Sequence, residues 1–169
     1  MVWIILLGVA TGMRTMTPIA VLCWFMWFAA LPVTQFNFWT ANVFSAGIFT
    51  LLAAGEYYAD TLPRTPSRKS PGPFAARLVF AALVGALVSS SFLNPLVGGI
   101  LFGLVGALIG TFGGYRLRLY LAGRLNNDLP VAVCESAFAL GISVLAMHQL
   151  CGEFVDQQHE ALLRLLVWH

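Results

Sequence analysis

The stretch Gly12-Met13-Arg14-Thr15-Met16-Thr17-Pro18 interrupts an otherwise apolar sequence that runs from residue 2 to residue 31. A continuous helix of that length would measure about 45 Å, whereas the hydrocarbon core of a bilayer is about 30 Å thick. Gly12 weakens a helix, and Pro18 lacks an N–H group and suits the first turn of a new helix. The prediction is two short helices, residues 3–11 and 18–31. They form either one broken span or a re-entrant segment. The break is a candidate site in both cases, because non-helical backbone at membrane depth is tolerated only inside protein or beside water.

The composition excludes a soluble globular fold. Of the 169 residues, 59% are hydrophobic and only 9% are charged, against roughly a quarter in an average soluble domain. No charged residue occurs between Arg14 and Glu56 or between Arg77 and Arg116, and these gaps are long enough for membrane spans. The net charge of +2 is too small and too dispersed to indicate a nucleic-acid partner. We expect an all-α, polytopic transmembrane helix bundle of about five spans.

The predicted organisation is one transmembrane bundle over residues 1–150 and an amphipathic C-terminal tail helix over residues 151–169. After the interrupted first segment, the predicted spans are 41–60, 75–92, 97–115 and 129–150. In the tail, Phe154, Ala161 and Leu165 recur at near-helical spacing among charged residues. That pattern is typical of a helix that lies on a membrane surface or packs on a partner.

Basic residues are concentrated in two of the predicted loops. The loops around 61–77 and 115–128 contain Arg64, Arg68, Lys69, Arg77, Arg116, Arg118 and Arg124, whereas the loops around 32–40 and 93–96 contain none. Lys and Arg are enriched in cytoplasmic loops, so the basic loops should face the cytoplasm and the C-terminal tail should lie outside. The amino terminus is inside if the first segment is one broken span, and outside if it is re-entrant.

Small residues line the span predicted over 97–115. Glycines recur there at three- and four-residue steps, at positions 99, 103, 106, 110, 113 and 114. Small faces let helix backbones approach closely in lipid, so this pattern predicts tight packing, either within the bundle or between protomers of a homo-oligomer. A glycine-lined pore is the alternative, and the absence of polar residues along that face argues against it.

A few ionisable residues lie at positions that loop topology does not explain. Glu56 is one helical turn from Asp60 and lies about 6 Å further into its predicted span. Glu135 lies about 10 Å further into the last predicted span than Asp128. A buried ionisable group at the centre of a span costs roughly 2.5 kcal/mol or more and usually marks a pathway or site. Arg14 therefore needs a partner, and Glu56 or Glu135 is the natural one. The candidate residues for binding a substrate or ion are Arg14, Thr15, Thr17, Glu56, Asp60 and Glu135. An Arg–Glu pair that only holds helices together is the alternative.

A second candidate site lies in the first basic loop. Its donors could bind a phosphate or a lipid headgroup, and the residues concerned are Arg64, Ser67, Arg68 and Arg77. The alternative is that these basic residues only reflect the usual enrichment of Lys and Arg in cytoplasmic loops and bind no ligand.

The chain resembles a family of small bacterial integral membrane proteins that is described only as domain of unknown function 4126. The matching residues are Gly12-Met13-Arg14-Thr15-Met16-Thr17-Pro18, Gly55-Glu56, Asp60, Leu62-Pro63, Pro66-Ser67-Arg68, Pro71, Arg77, Gly114-Tyr115 and Glu135. The resemblance extends from residue 5 to about residue 148 and leaves the acidic tail uncovered. It implies a multi-pass protein of the bacterial inner membrane and brings no established activity.

Three functions remain open. The favoured one is a small transporter or channel, expected to be oligomeric, for a small ion or anionic solute, with a polar site around Arg14. The second is a protein that binds a lipid phosphate, or a Mg²⁺-dependent enzyme acting on one, in which Glu56, Asp60, Asp128 and Glu135 hold the metal. The third is a structural or accessory membrane protein.

No cofactor is expected except Mg²⁺ under the enzyme alternative. Cys23, Cys134 and Cys151 are widely spaced within apolar sequence and have the spacing of neither a disulfide framework nor a zinc site. The three histidines fall near or after the last predicted span, without a metal-binding motif. The expected partners are membrane lipids, a small ion or anionic solute, and further copies of the chain.

Overall fold

The computed structural model describes residues 1–59, 71–125 and 128–167, and these residues contain helices and no strand. The six α-helices are α1 (Val2–Met13), α2 (Thr17–Trp27), α3 (Val43–Ala59), α4 (Pro71–Ser91), α5 (Leu96–Leu125) and α6 (Asp128–Val167). A short 3-10 turn over Phe38–Thr40 precedes α3. The all-α prediction is confirmed for the described part of the chain.

Three of the helices are long and apolar enough to cross a membrane. They are α4, the Leu96–Leu121 part of α5 and the Pro130–Leu163 part of α6. The helices α1 and α2 have 12 and 11 residues, so each is about 16–18 Å long and shorter than a hydrocarbon core. The fold is that expected of a helical membrane bundle, but the predicted number of about five spans is not confirmed.

The first helix runs antiparallel to α6. At its start, the Trp3 indole donates a hydrogen bond of 2.8 Å to the Glu153 carboxylate. Just after its end, the Arg14 guanidinium donates to the carbonyl of Ala132, at 3.2 Å. Since Glu153 and Ala132 lie far apart along α6, α1 extends from one region of the bundle towards the opposite end.

The second helix returns to the end at which α1 starts. The segment after α2 is held against the end of α4, because the Asn37 amide donates to the Ser91 hydroxyl at 2.7 Å. The next residue, Phe92, packs edge-on against Phe154 of α6, with ring centroids 6.2 Å apart. Phe154 is adjacent to Glu153, which binds the start of α1. The helices α1 and α2 therefore run in opposite directions and form a folded-back hairpin, which is the chain path of the re-entrant alternative.

Glycines of α5 allow α1 and α4 to pack closely against it. A Cβ atom at Gly106 or Gly110 would meet backbone atoms of α1, and one at Gly99 or Gly103 would meet backbone atoms of α4. The small face of α5 thus contacts two helices of the same chain, which confirms the predicted tight packing within the bundle.

The last helix continues past residue 150, at which the sequence was divided into bundle and tail. It is continuous from Asp128 to Val167, 40 residues, or about 60 Å at 1.5 Å per residue. Residues 151–167 are therefore continuous with the last long helix. Gly152 costs only about 1 kcal/mol relative to alanine in a helix, which is too little to end it.

Candidate functional site

The tip of the α1–α2 hairpin is the centre of the candidate site. Helix α1 ends at Met13, and Arg14 adopts an extended conformation with φ −136° and ψ 110°. Helix α2 starts at Thr17, with Pro18 in its first turn. The interruption predicted from the sequence is thus confirmed, and it is reduced to three residues between the two helices.

The tip lies deep in the bundle. The Thr111 hydroxyl of α5 donates a hydrogen bond of 3.2 Å to the carbonyl of Gly12, at the end of α1. Thr111 lies fifteen residues after Leu96, where α5 begins, so the tip is level with a point about 22 Å along that helix. The polar groups of the tip therefore lie beside the apolar part of α5.

Glu56 of α3 binds the backbone of the hairpin tip. Its carboxylate accepts hydrogen bonds from the amide of Thr15 at 2.9 Å and from the amide of Met16 at 3.0 Å. Both amides precede the N-terminus of α2, where the helix carries a partial positive charge that favours an anionic group. A side chain from another helix thus occupies a position suited to an anion.

The Arg14 side chain is enclosed, with 1% of its surface exposed. Besides its hydrogen bond to Ala132, its guanidinium carbon lies 5.2 Å from the centre of the Tyr57 ring. A cation above an aromatic ring is attracted by about 0.5–1 kcal/mol at exposed sites and by more when desolvated. The contacts from α3 and α6 fix one orientation of the guanidinium beside the tip.

Tyr57 also belongs to this site, although the sequence pattern did not indicate it. Its hydroxyl lies 2.7 Å from the Thr17 hydroxyl at the start of α2, while its ring faces Arg14. One side chain therefore contacts both sides of the hairpin tip. Its position directly after Glu56, within an apolar helix, was the available signal.

The predicted ion pair between Arg14 and Glu56 is not formed between these two described residues. The Glu56 carboxylate instead accepts both of its hydrogen bonds from backbone amides. The other predicted partner, Glu135, is also buried, and its carboxylate lies 3.8 Å from the guanidinium of Arg118. Thr15, Thr17 and Glu56 are thus brought together around the tip, while Glu135 contacts α5.

Most of the second predicted site falls outside the described residues, so it stays a prediction. Arg77 belongs to α4 and is buried, with 7% of its surface exposed. Its burial is unlike that of a loop cation that faces the cytoplasm. The other residues proposed for phosphate binding, Arg64, Ser67 and Arg68, lie outside the described residues, as does Asp60.

A half-open cavity of about 220 Å³ lies next to the tip, between α5 and α6. Its walls consist of Met13, Gly114, Leu117, Arg118, Leu121, Val131, Cys134, Glu135 and Phe138. Most of these side chains are apolar, and Met13 is the residue directly before Arg14. The cavity is therefore adjacent to the polar tip but differs from it in chemistry.

Within the described ranges, no group of three or more His, Cys, Asp or Glu side chains could hold a metal ion.

Comparisons with protein-family models, curated proteins and solved structures find no match. The resemblance to domain of unknown function 4126 therefore stays a prediction.

Proposed function

We propose that the chain is a multi-pass protein of the bacterial cytoplasmic membrane that transports or conducts a small anionic solute through a site at Arg14. The end of the bundle with Arg77, Arg116 and Arg118, which belong to α4 and α5 and not to loops, would face the cytoplasm, and the end of α6 the outside. The observation that carries the proposal is the Arg14 guanidinium, 1% exposed and fixed at the tip of a hairpin inside the bundle. Ionisable groups at such depth usually mark a pathway or site.

The contacts of Glu56 support an anionic solute. Its carboxylate binds the amides of Thr15 and Met16, so the hairpin tip offers two N–H donors to a negatively charged group. Interrupted helices whose N-termini point at anionic substrates are a common form of transporter site. In this proposal Glu56 holds the tip in its resting state, and a solute anion replaces the carboxylate there.

Flux measurements on proteoliposomes test the proposal. Purified protein is reconstituted, and uptake of chloride, nitrate and phosphate is compared with that of protein-free vesicles. Arg14→Ala should abolish the protein-dependent flux, and Arg14→Lys should leave a fraction of it, because lysine keeps the charge without the planar geometry. Arg116→Ala is the matched control, since Arg116 is exposed on α5 and its removal changes the net charge equally.

The results of this experiment separate a site from a structural role. Each variant is first checked for monodispersity and helix content, so that a misfolded protein is not taken for an inactive one. Equal flux from Arg14→Ala and unaltered protein would overturn the proposal, as would an equal loss in Arg116→Ala.

The accessory-protein alternative has less support from the contacts. It expects Arg14 and Glu56 to satisfy one another, whereas Glu56 binds backbone amides. The lipid-phosphate alternative depends on residues of the 64–68 loop and on Asp60, and no contact of the described residues favours it. A homo-oligomer remains part of the proposal and is tested by the mass of the purified protein.

A further inference from the structure

The cavity between α5 and α6 plays no part in the proposed transport site. It extends beside residues 114–121 of α5 and 131–138 of α6, which corresponds to about 10 Å of helix. Its volume is about 220 Å³, and an engineered apolar cavity of about 150 Å³ already binds benzene. The space is therefore large enough for several carbons of a hydrocarbon chain.

The walls favour an uncharged, apolar occupant. Leu117, Leu121 and Phe138 contribute apolar surface on both sides of the cavity. The charged side chains in the wall, Arg118 and Glu135, lie 3.8 Å apart and compensate each other. The cavity thus offers no net charge to attract an ion, and its principal gain on binding would come from burial of apolar surface.

The mouth of the cavity is placed to admit lipid. Leu117 and Phe138 at its rim are 52% and 57% exposed on the outside of the bundle. Both belong to the apolar parts of α5 and α6 that are long enough to cross a membrane. Leu117 lies between Arg116 and Arg118, so in a bilayer the rim is at the boundary between headgroups and hydrocarbon, where the glycerol end of a lipid chain is located.

We propose that this cavity binds one acyl chain of a phospholipid from the leaflet at the basic end of the bundle. Leu121 and Val131 lie closest to the connection between α5 and α6, and Met13 and Phe138 lie deeper. The chain enters with its glycerol end beside Leu121 and its methyl end towards Met13. This inference depends on the membrane location in the proposed function, but not on anion transport.

Photo-crosslinking tests both the site and the direction of the chain. The probe is a phosphatidylglycerol with a diazirine either near the glycerol end or at the methyl end of one chain. The full-length protein is reconstituted in phosphatidylethanolamine and phosphatidylglycerol vesicles, irradiated and mapped by mass spectrometry. The first probe should label Leu121 and Val131, and the second should label Met13 and Phe138.

Two variants of α6 provide a matched pair. Cys134→Trp fills the cavity, whereas Val133→Trp adds the same side chain at the neighbouring exposed position outside it. Labelling of the cavity residues should fall about tenfold in Cys134→Trp, because the indole occupies the space of the chain, and should be retained in Val133→Trp. Both positions are exposed, so both variants should fold.

Three results would overturn the inference. They are equal labelling in the two tryptophan variants, labels spread evenly over the exposed faces of all helices, and a reversed order of the two probes. Anion flux in the same vesicles depends on Arg14, so a failure of the lipid site and a failure of the transport proposal are observed separately.

Discussion

The Glu56 carboxylate accepts a hydrogen bond of 3.0 Å from the amide of Met16, although 40 positions separate the two residues. This bond, together with the one from Thr15, connects α3 to the tip of the hairpin formed by α1 and α2. Without Glu56 these part-buried amides would lose their acceptor. Glu56 therefore has a structural function that is independent of the solute, and this function can be measured.

Replacement of Glu56 by alanine should destabilise the bundle. It leaves the two part-buried amides without their acceptor, and because a fully buried unsatisfied donor costs about 1–3 kcal/mol, the loss should lie near the lower end of that range. We expect the thermal unfolding temperature of the purified protein in detergent to fall clearly. Asp156→Ala, which removes an exposed acidic residue of α6, is the control and should unfold at the same temperature as the unaltered protein. Equal unfolding temperatures for Glu56→Ala and the control would contradict the capping role.

Two substitutions of Tyr57 should separate its hydroxyl from its ring. Tyr57→Phe removes the 2.7 Å contact with the Thr17 hydroxyl but keeps the ring beside Arg14. We expect a loss of about 1 kcal/mol in the free energy of unfolding. Tyr57→Leu removes the aromatic face as well and should cost about 0.5–2 kcal/mol more. Denaturation in a mild detergent measures both values, and equal losses would exclude a contribution of the ring.

The interruption at residues 12–18 could be predicted from the sequence because Gly12 and Pro18 act locally on the helix. The packing role of the α5 glycines could also be predicted, since it follows from the spacing of the glycines along one helix. In contrast, the fold of the hairpin depends on distant contacts such as Trp3 with Glu153, which leave no local pattern.

The partner of Glu56 could not be predicted for a related reason. Charge alone points to a basic side chain as the partner of Glu56, whereas its carboxylate oxygens accept from backbone amides, which every residue except proline carries. A backbone partner has no signature in the residue types. Burial of Arg14 itself could be predicted, because it is the only charged residue in the apolar sequence that extends to Glu56.

A side chain at Gly106 should disrupt the contact between α1 and α5. A Cβ atom there would lie 2.9 Å from the Cα of Gly8 and close to the carbonyl of Ile5, so the backbones would have to separate. Overpacking of this kind costs typically about 1–3 kcal/mol. Gly106→Ala should therefore lower the thermal unfolding temperature in detergent. Gly113→Ala is the control, because nothing lies within 4 Å of a Cβ at that position. Equal stability of the two variants would contradict the close packing.

The folded-back hairpin predicts that the amino terminus and the turn between α4 and α5 lie on the same side of the membrane. Single cysteines at Val2, Asn94 and Gly72, all exposed, test this in a chain whose native cysteines are replaced by alanine. In vesicles of one orientation, a membrane-impermeant maleimide should label Val2→Cys and Asn94→Cys from one side. Gly72→Cys, at the start of α4, should react only from the other side, because α4 is long enough to cross the bilayer. If Val2→Cys reacts together with Gly72→Cys, the first two helices form one broken span and the hairpin is wrong.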